Sequence, residues 1–426
     1  MIIKFGRFVW SPVSSNMINW FIDGVLLLPI YMRFMYVLAE LFAFPTTVTT
    51  YAYYGFLWCL LLLSMPAIWK KITGKVLAAV VCLIGLSLLE MLIHPSSVEY
   101  MVSGGWFEYI TFQSTSLLFS SVFIFVGMAA SDFVQLRAVL RVAARLGIVS
   151  GACAYLLMLL QGMPLHYDDM SVAYAIGACL CLLVACWEKH DGIFCIFGGI
   201  SLLIAGTRGP ILCVLIAVLF KWIIFEKSIR GKVGGAVLCT AALIVVYSGL
   251  GIWLLQVLND ALSNFGISNL RLMDYINQGM LLDGSGRGDL ATTLLAAIAE
   301  KPILGYGIGG DRSLLPDGYF AHNIVIEALV SLGLIGGSVF IIWVLVLFKR
   351  VLTSSDQSLK QIGIGLFCGI VIKLMLSSSA INSKEFFIFI GVCIAASASK
   401  NYGIQLQGGQ KRRLGLYQTK KQTGDA

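Results

Sequence analysis

Apolar positions along this chain form long unbroken runs, and polar residues are confined to short punctuating turns and one extended segment. Runs near the ~20 residues that a membrane-crossing helix needs recur at 18–38, 47–69, 75–93, 113–131, 146–162, 172–187, 192–206, 210–225, 233–257, 322–348, 360–378 and 384–398. The pattern predicts an all-α, polytopic integral membrane protein with about 12 transmembrane helices, or ten or eleven if the short runs between 172 and 225 do not all cross. The first run is the least clean, because Asp23 and Arg33 interrupt it.

The polar segment at 258–321 is far longer than an ordinary connection and predicts one large extracytoplasmic loop folded against the membrane face. Within it, Asp289 is placed to cap a surface helix running from Leu290 to about Glu300. Leu290, Leu294 and Ile298 repeat every four residues along that helix, and Pro302 ends it. The N-terminus of such a helix offers backbone N–H groups and a positive dipole end beside Arg287, an arrangement suited to phosphate oxygens. Gly305, Gly307 and Gly309 then supply either backbone that a ligand can approach closely or a plain tight turn. The expected organisation is one transmembrane domain over 1–398 and a basic, disordered cytoplasmic tail over 399–426.

Composition agrees: 58% apolar residues, 12% charged residues and a mean hydropathy of +0.88 exclude a water-soluble core. With the N-terminus inside, 22 of the 30 Lys and Arg residues fall in inner segments or the tail. The net charge of +8 is therefore a topology signal and a surface for anionic membrane lipid, with no nucleic-acid partner implied and both termini cytoplasmic. The first apolar run lacks a cleavage site and reads as a signal anchor. The 11 cysteines all lie in or beside predicted helices, which offers neither a disulfide framework nor a zinc spacing. Asp168 and Asp169 near His166 come closest to a ligand cluster and read as a solvated turn, so no metal and no cofactor are predicted.

Two residues stand out as candidate chemistry. Arg208, in the turn Gly206-Thr207-Arg208-Gly209-Pro210 on the predicted outer side, either snorkels to lipid phosphates or faces an anionic substrate from a protein cavity. His322 opens a hydrophobic helix directly after the glycine-rich loop, where an imidazole is either structural or placed to take a proton from a hydroxyl. His94, His166 and His190 fall in loops without a partner pattern and read as solvated or structural. Glu327 lies about a turn further in, away from the His322 face, and lines a wet cavity or bonds a neighbouring helix. Gly333 and Gly337, four apart, permit close helix packing.

The marks Thr207-Arg208-Gly209, Gly286-Arg287, Lys301-Pro302-Ile303-Leu304-Gly305-Tyr306-Gly307-Ile308-Gly309 and His322-Asn323, followed by Glu327 and Gly333-Leu334-Ile335-Gly336, resemble the bacterial O-antigen polymerase and O-antigen ligase superfamily, mainly over 200–345. The resemblance implies glycosyl transfer on the extracytoplasmic side of the cytoplasmic (inner) membrane. The donor would be a polyprenyl (undecaprenyl) diphosphate-linked oligosaccharide and the acceptor a glycan hydroxyl, with neither nucleotide sugar nor metal. Carried onto this chain, Arg208 and Arg287 grip the diphosphate and His322 orients or deprotonates the acceptor, with Gly305, Gly307, Gly309 and Asn323 lining the substrate site. Fixed guanidinium forks suit a leaving group whose charge grows as the glycosidic bond breaks. Single-step attack would invert the anomeric centre.

Polymerase and ligase differ in acceptor, a lipid-linked glycan for one and lipid A-core for the other. Ser377-Ser378-Ser379 and Asn382-Ser383-Lys384-Glu385-Phe386-Phe387 resemble the closing segment of capsule and O-antigen polymerases, which favours the polymerase. A chain-length regulator and a flippase are the protein partners that reading implies. A flippase or other transporter is the alternative class, against which stands the absence of a repeat between the two halves of the chain.

Overall fold

The computed structural model describes residues 11–70, 87–102, 116–130, 132–161, 169–226, 228–247, 287–316 and 319–396, with isolated residues between these stretches. The expected span at 75–93 falls largely outside them, as do 261–286, His166 with Asp168, and the tail at 399–426. Among the described residues the protein is helical and has no strand. In chain order the helices are α1 (Ser11–Leu26), α2 (Leu28–Leu41), α3 (Thr46–Trp69), α4 (87–93), α5 (Val98–Val102), α6 (Leu117–Ala129), α7 (Phe133–Leu160) and α8 (Asp169–Ala185). They continue with α9 (Asp191–Ile204), α10 (Arg208–Phe225), α11 (Ile229–Tyr247), α12 (Arg287–Glu300), α13 (Gly310–Leu314), α14 (Ile324–Leu352), α15 (Gln357–Leu376) and α16 (384–396).

Five of these helices, α3, α7, α10, α14 and α15, are long and apolar enough to cross a membrane, and the bent pair α1 and α2 makes a sixth. Twelve crossings are not reached among the described residues. The hydrophobic runs behind α6, α8 and α9 form shorter helices, and at 1.5 Å per residue the 17 residues of α8 reach only ~26 Å against the ~30 Å hydrocarbon layer. The first run is broken where the sequence is least clean. A 71° bend separates α1 from α2, and Pro29, which has no N–H to donate, sits in the first turn of the second piece.

Helix α8 is apolar on every face, and such a helix belongs at the centre of a bundle. It packs against α2, α7, α9, α10 and α15, and from Val172 to Cys186 nearly every side chain is buried. At one end of α7, Arg141 and Arg145 converge on the fully buried Asp191. Arg145 Nη2 lies 2.6 Å and Nε 2.8 Å from Oδ1, and Arg141 Nη2 lies 3.2 Å from Oδ2. Arg141 also pairs with Glu188. Residues whose charge reads as a topology signal thus tie α7 to α9.

The helix expected to run unbroken from His322 is interrupted. Gly333 has φ 69° and ψ 178° inside α14, a conformation open essentially to glycine alone. A Cβ on Gly337 would meet Ala328 O at 2.8 Å, although a continuous helix would hold these residues ~13 Å apart along its axis. Residues 324–332 therefore form a short half-helix folded back on 334–352. Gly333 makes the break and Gly337 the close approach within the same segment, instead of the packing between separate helices that their spacing suggests.

Candidate functional site at the broken helix

A broken helix frees carbonyls that must find other donors wherever water is scarce. Here the loop after α12 supplies them. Tyr306 N–H donates to Val330 O at 2.8 Å and Gly307 N–H to Ser331 O at 3.0 Å, while Leu334 N–H turns away to Pro302 O at 2.7 Å. The Lys301–Gly309 motif is thereby stitched to the half-helix. Helix α12 supports it with the expected stripe: Leu294 and Ile298 are buried with Leu315, Ala321 and Val330, and Leu290 packs against them. The helix begins at Arg287 and contains Asp289 in its first turn, so Asp289 is not its cap. The Asp289 carbonyl accepts the hydroxyls of Thr292 and Thr293.

Gly305, Gly307 and Gly309 all have positive φ, at 69°, 84° and 77°. A Cβ added at each would collide with protein atoms: at Gly305 it would stand 2.4 Å from Val330 O, at Gly307 2.5 Å from Ser97 Oγ and at Gly309 2.1 Å from the Tyr100 ring. That side of the loop is a packing surface against the half-helix and the α4–α5 corner.

From this corner a polar chain crosses the site. Asp311, fully buried, accepts Ala321 N–H at 2.8 Å and anchors the segment leading to His322. Arg312 lies over the Tyr100 ring at 5.1 Å and donates from Nη2 to Ser379 Oγ at 3.1 Å. The Ser379 hydroxyl donates to Glu327 Oε1, and Ala380 N–H donates to Glu327 Oε2 at 2.8 Å. Glu327 is 4% exposed, so its carboxyl oxygens are buried and depend on these donors, with Arg312 one hydroxyl away. Burial raises the Tyr100 phenol above its ordinary value and Glu99 adds to the rise, while the Arg312 cation opposes it. Across the corner, Glu90 Oε1 accepts Ile308 N–H at 3.1 Å and lies 3.2 Å from His94 Nδ1.

His322 precedes the helix and does not begin it. Asn323 is the cap, its Oδ1 accepting Val325 N–H at 2.9 Å and Ile326 N–H at 3.2 Å, and its Nδ2 donating to Met375 O at 3.2 Å. Asn323 is thus a structural clasp between α14 and the end of α15. The half-buried His322 holds φ 50°, an uncommon conformation for a residue with a Cβ, and its ring lies 3.8 Å from that of Phe320. Arg208 opens α10, which packs against Lys373–Leu376, and that same turn contacts α14. Arg287 occupies the first turn of α12; its side chain lies outside the description. Glu327 bonds a neighbouring segment, one of the two roles its position suggests.

Sequence reasoning missed Glu90 and His94 as a pair and did not single out Arg312. One signal was available: Glu90 is an ionisable residue inside an apolar run, four residues before a histidine. Arg312 carried no local signal, because its partners lie at 100 and 379.

Beside Glu327 opens a cavity of about 540 Å³. Its walls are aliphatic and aromatic, with Phe340, Trp343, Phe386 and Phe387 among them, and its polar groups are Glu90, Glu327, Ser87, Ser121 and Ser331. Among the described residues, no three His, Cys, Asp or Glu side chains gather as a metal-holding group.

Residues 193–341 match the family model described as O-antigen ligase, a stretch that runs from within α9 into the broken α14 and includes the glycine loop at 305–309 and His322. Comparison with curated proteins and with solved structures gives no match.

Proposed function

We propose, from the premise that residues 193–341 relate this membrane protein to the O-antigen polymerase and ligase superfamily, that it polymerises lipid-linked oligosaccharide repeat units of an O-antigen, capsule or exopolysaccharide. The acceptor glycan hydroxyl attacks the anomeric carbon of a polyprenyl diphosphate-linked sugar. The new C–O bond forms as the sugar–phosphate bond breaks, the electron pair leaves with the diphosphate, and the hydroxyl proton passes to the His322 imidazole. Arg208 and Arg287 hold the diphosphate and neutralise the charge that grows on it. No metal or nucleotide takes part.

The observation that supports this reading best is the placement of His322. Its backbone is held in a strained conformation by Asp311 behind it and the Asn323 clasp after it, at the edge of a broken helix whose inner side lines an apolar cavity. Such over-determination of one imidazole is expected where its position serves chemistry. In this reading residues 1–398 form one transmembrane domain in the cytoplasmic membrane with the site on its outer face.

The deciding experiment reconstitutes the protein with synthetic polyprenyl diphosphate-linked repeat units, without metal or nucleotide, and follows glycan length beside the His322→Ala variant. A growing ladder that the variant lacks supports the polymerase. The family description favours a second reading, transfer to lipid A-core, which predicts no ladder but a single transfer once that acceptor is supplied. Silence in both assays would leave transport.

A further inference from the structure

Beyond the break at Gly333, α14 carries an exposed apolar stripe: Ile335, Val339, Ile342 and Val346 follow one another at helical spacing. On a helix apolar enough to cross a membrane, such a face is covered by lipid. Lys349 and Arg350, both exposed, end the stripe and mark where the helix leaves the hydrocarbon, because a charge facing acyl chains is costly. The 16 residues from Gly333 to Lys349 rise ~24 Å along a helix, against ~30 Å of hydrocarbon. Tilt shortens the reach further. The break therefore falls short of the opposite boundary, inside the apolar layer.

The turn after α12 is tied to that depth. Pro302 O accepts Leu334 N–H at 2.7 Å, which sets the turn beside the first residue past the break. Its outer side is apolar and bare: Pro302 is exposed, Ile303 is 65% and Leu304 62% exposed, and Leu334 and Ile335 stand exposed at the head of the stripe. Three exposed apolar residues in a row call for a partner, and the lipid face of α14 continues directly into them. Polar groups flank the turn. Glu300 Oε2 accepts the Tyr306 hydroxyl at 2.8 Å, and the Lys301 ammonium stands over the Tyr306 ring at 4.3 Å. Tyrosine and lysine, each with an apolar body and a polar tip, suit the headgroup level of a bilayer.

We infer that residues 302–304 are inserted into the bilayer, with the Ile303 and Leu304 side chains among the acyl chains and Glu300, Lys301 and Tyr306 at the headgroup level. The partner of this surface is membrane lipid. The insertion holds the glycine loop, and the half-helix stitched to it, at the edge of the hydrocarbon, the depth at which the chain of an amphiphile meets its head. It goes beyond the proposed reaction and does not depend on it.

The test reads depth without turnover. A fluorescent coumarin amino acid is placed by amber suppression at Ile303 in the full-length protein in lipid nanodiscs. The same probe at Ile342, on the stripe, and at Ser355, exposed in the turn after α14, supplies the hydrocarbon and water references. Lipids brominated on their acyl chains should quench the probe at Ile303 to about half the extent seen at Ile342 or more, and aqueous iodide should quench it several-fold less than at Ser355. Iodide quenching equal to that at Ser355 would put the turn in water and overturn the inference. Shielding from both quenchers would mean that protein covers the turn, from elsewhere in the chain or from a second copy, and would overturn it equally. The probe at Leu304 repeats the reading, so a poorly folded variant at Ile303 does not decide the answer. A silent ladder assay with the turn still quenched by brominated lipid would remove the proposed reaction and leave the insertion standing.

Discussion

Leu334 N–H donates to Pro302 O at 2.7 Å, across the break at Gly333, where an unbroken helix would have sent it to Val330. Val330 O receives Tyr306 N–H instead. One exchange of partners thus builds the glycine loop into the wall of the half-helix that carries Glu327, and it sets the depth at which His322 and Asn323 enter.

Gly333→Ala tests that exchange. A Cβ there would stand 2.2 Å from Ile303 O at a backbone conformation closed to alanine, a cost of about 3 kcal/mol. A thermal midpoint in detergent equal to that of the wild type would contradict the break.

Arg312, Ser379 and Glu327 form one chain, so their contributions should not add. In denaturant unfolding, Arg312→Ala and Glu327→Gln are each expected to destabilise. The double variant should lose less than the sum by about 1–2 kcal/mol, because each single change strands the other's partner. Additive losses would show that the chain is not coupled.

The Asp191 cluster separates buried from exposed ion pairs. Asp191→Asn removes the fully buried carboxylate shared by Arg141 and Arg145 and should cost about 3 kcal/mol, since Arg145 loses this counter-charge and Arg141 keeps only Glu188. Glu188→Gln, at a side chain 51% exposed, should cost under about 1 kcal/mol. Equal losses in unfolding experiments would reverse the ranking.

For His322 the fold and the chemistry should part. His322→Gly relieves the left-handed backbone at φ 50°, so stability should stay within about 1 kcal/mol of the wild type. Removal of the imidazole should lower transfer by about 100-fold or more. A well-folded glycine variant that elongates glycan at the wild-type rate would remove His322 from the mechanism.

The apolar stripe of α12, the end of that helix before Pro302, the disturbed first span and the family resemblance over the glycine motif and His322-Asn323 were all legible along the chain. Each depends on periodicity or on neighbours a few residues apart. The break at Gly333 was not legible, because a glycine within an apolar run also reads as helix packing. What distinguishes the two is the loop at Tyr306 and Gly307, whose N–H groups take over the freed carbonyls of Val330 and Ser331.

By itself, the sequence determined that this is a helical membrane protein with a polar loop leading to a histidine, since transfer of apolar runs from water and local capping chemistry decide those features within single segments. Only the tertiary structure decided which distant residues the candidate site brings together. Glu90 reaches Ile308 across 218 positions, and Arg312 reaches Ser379 across 67. Their meeting follows from the need of buried polar groups for partners, which a folded chain satisfies in space and not along its length.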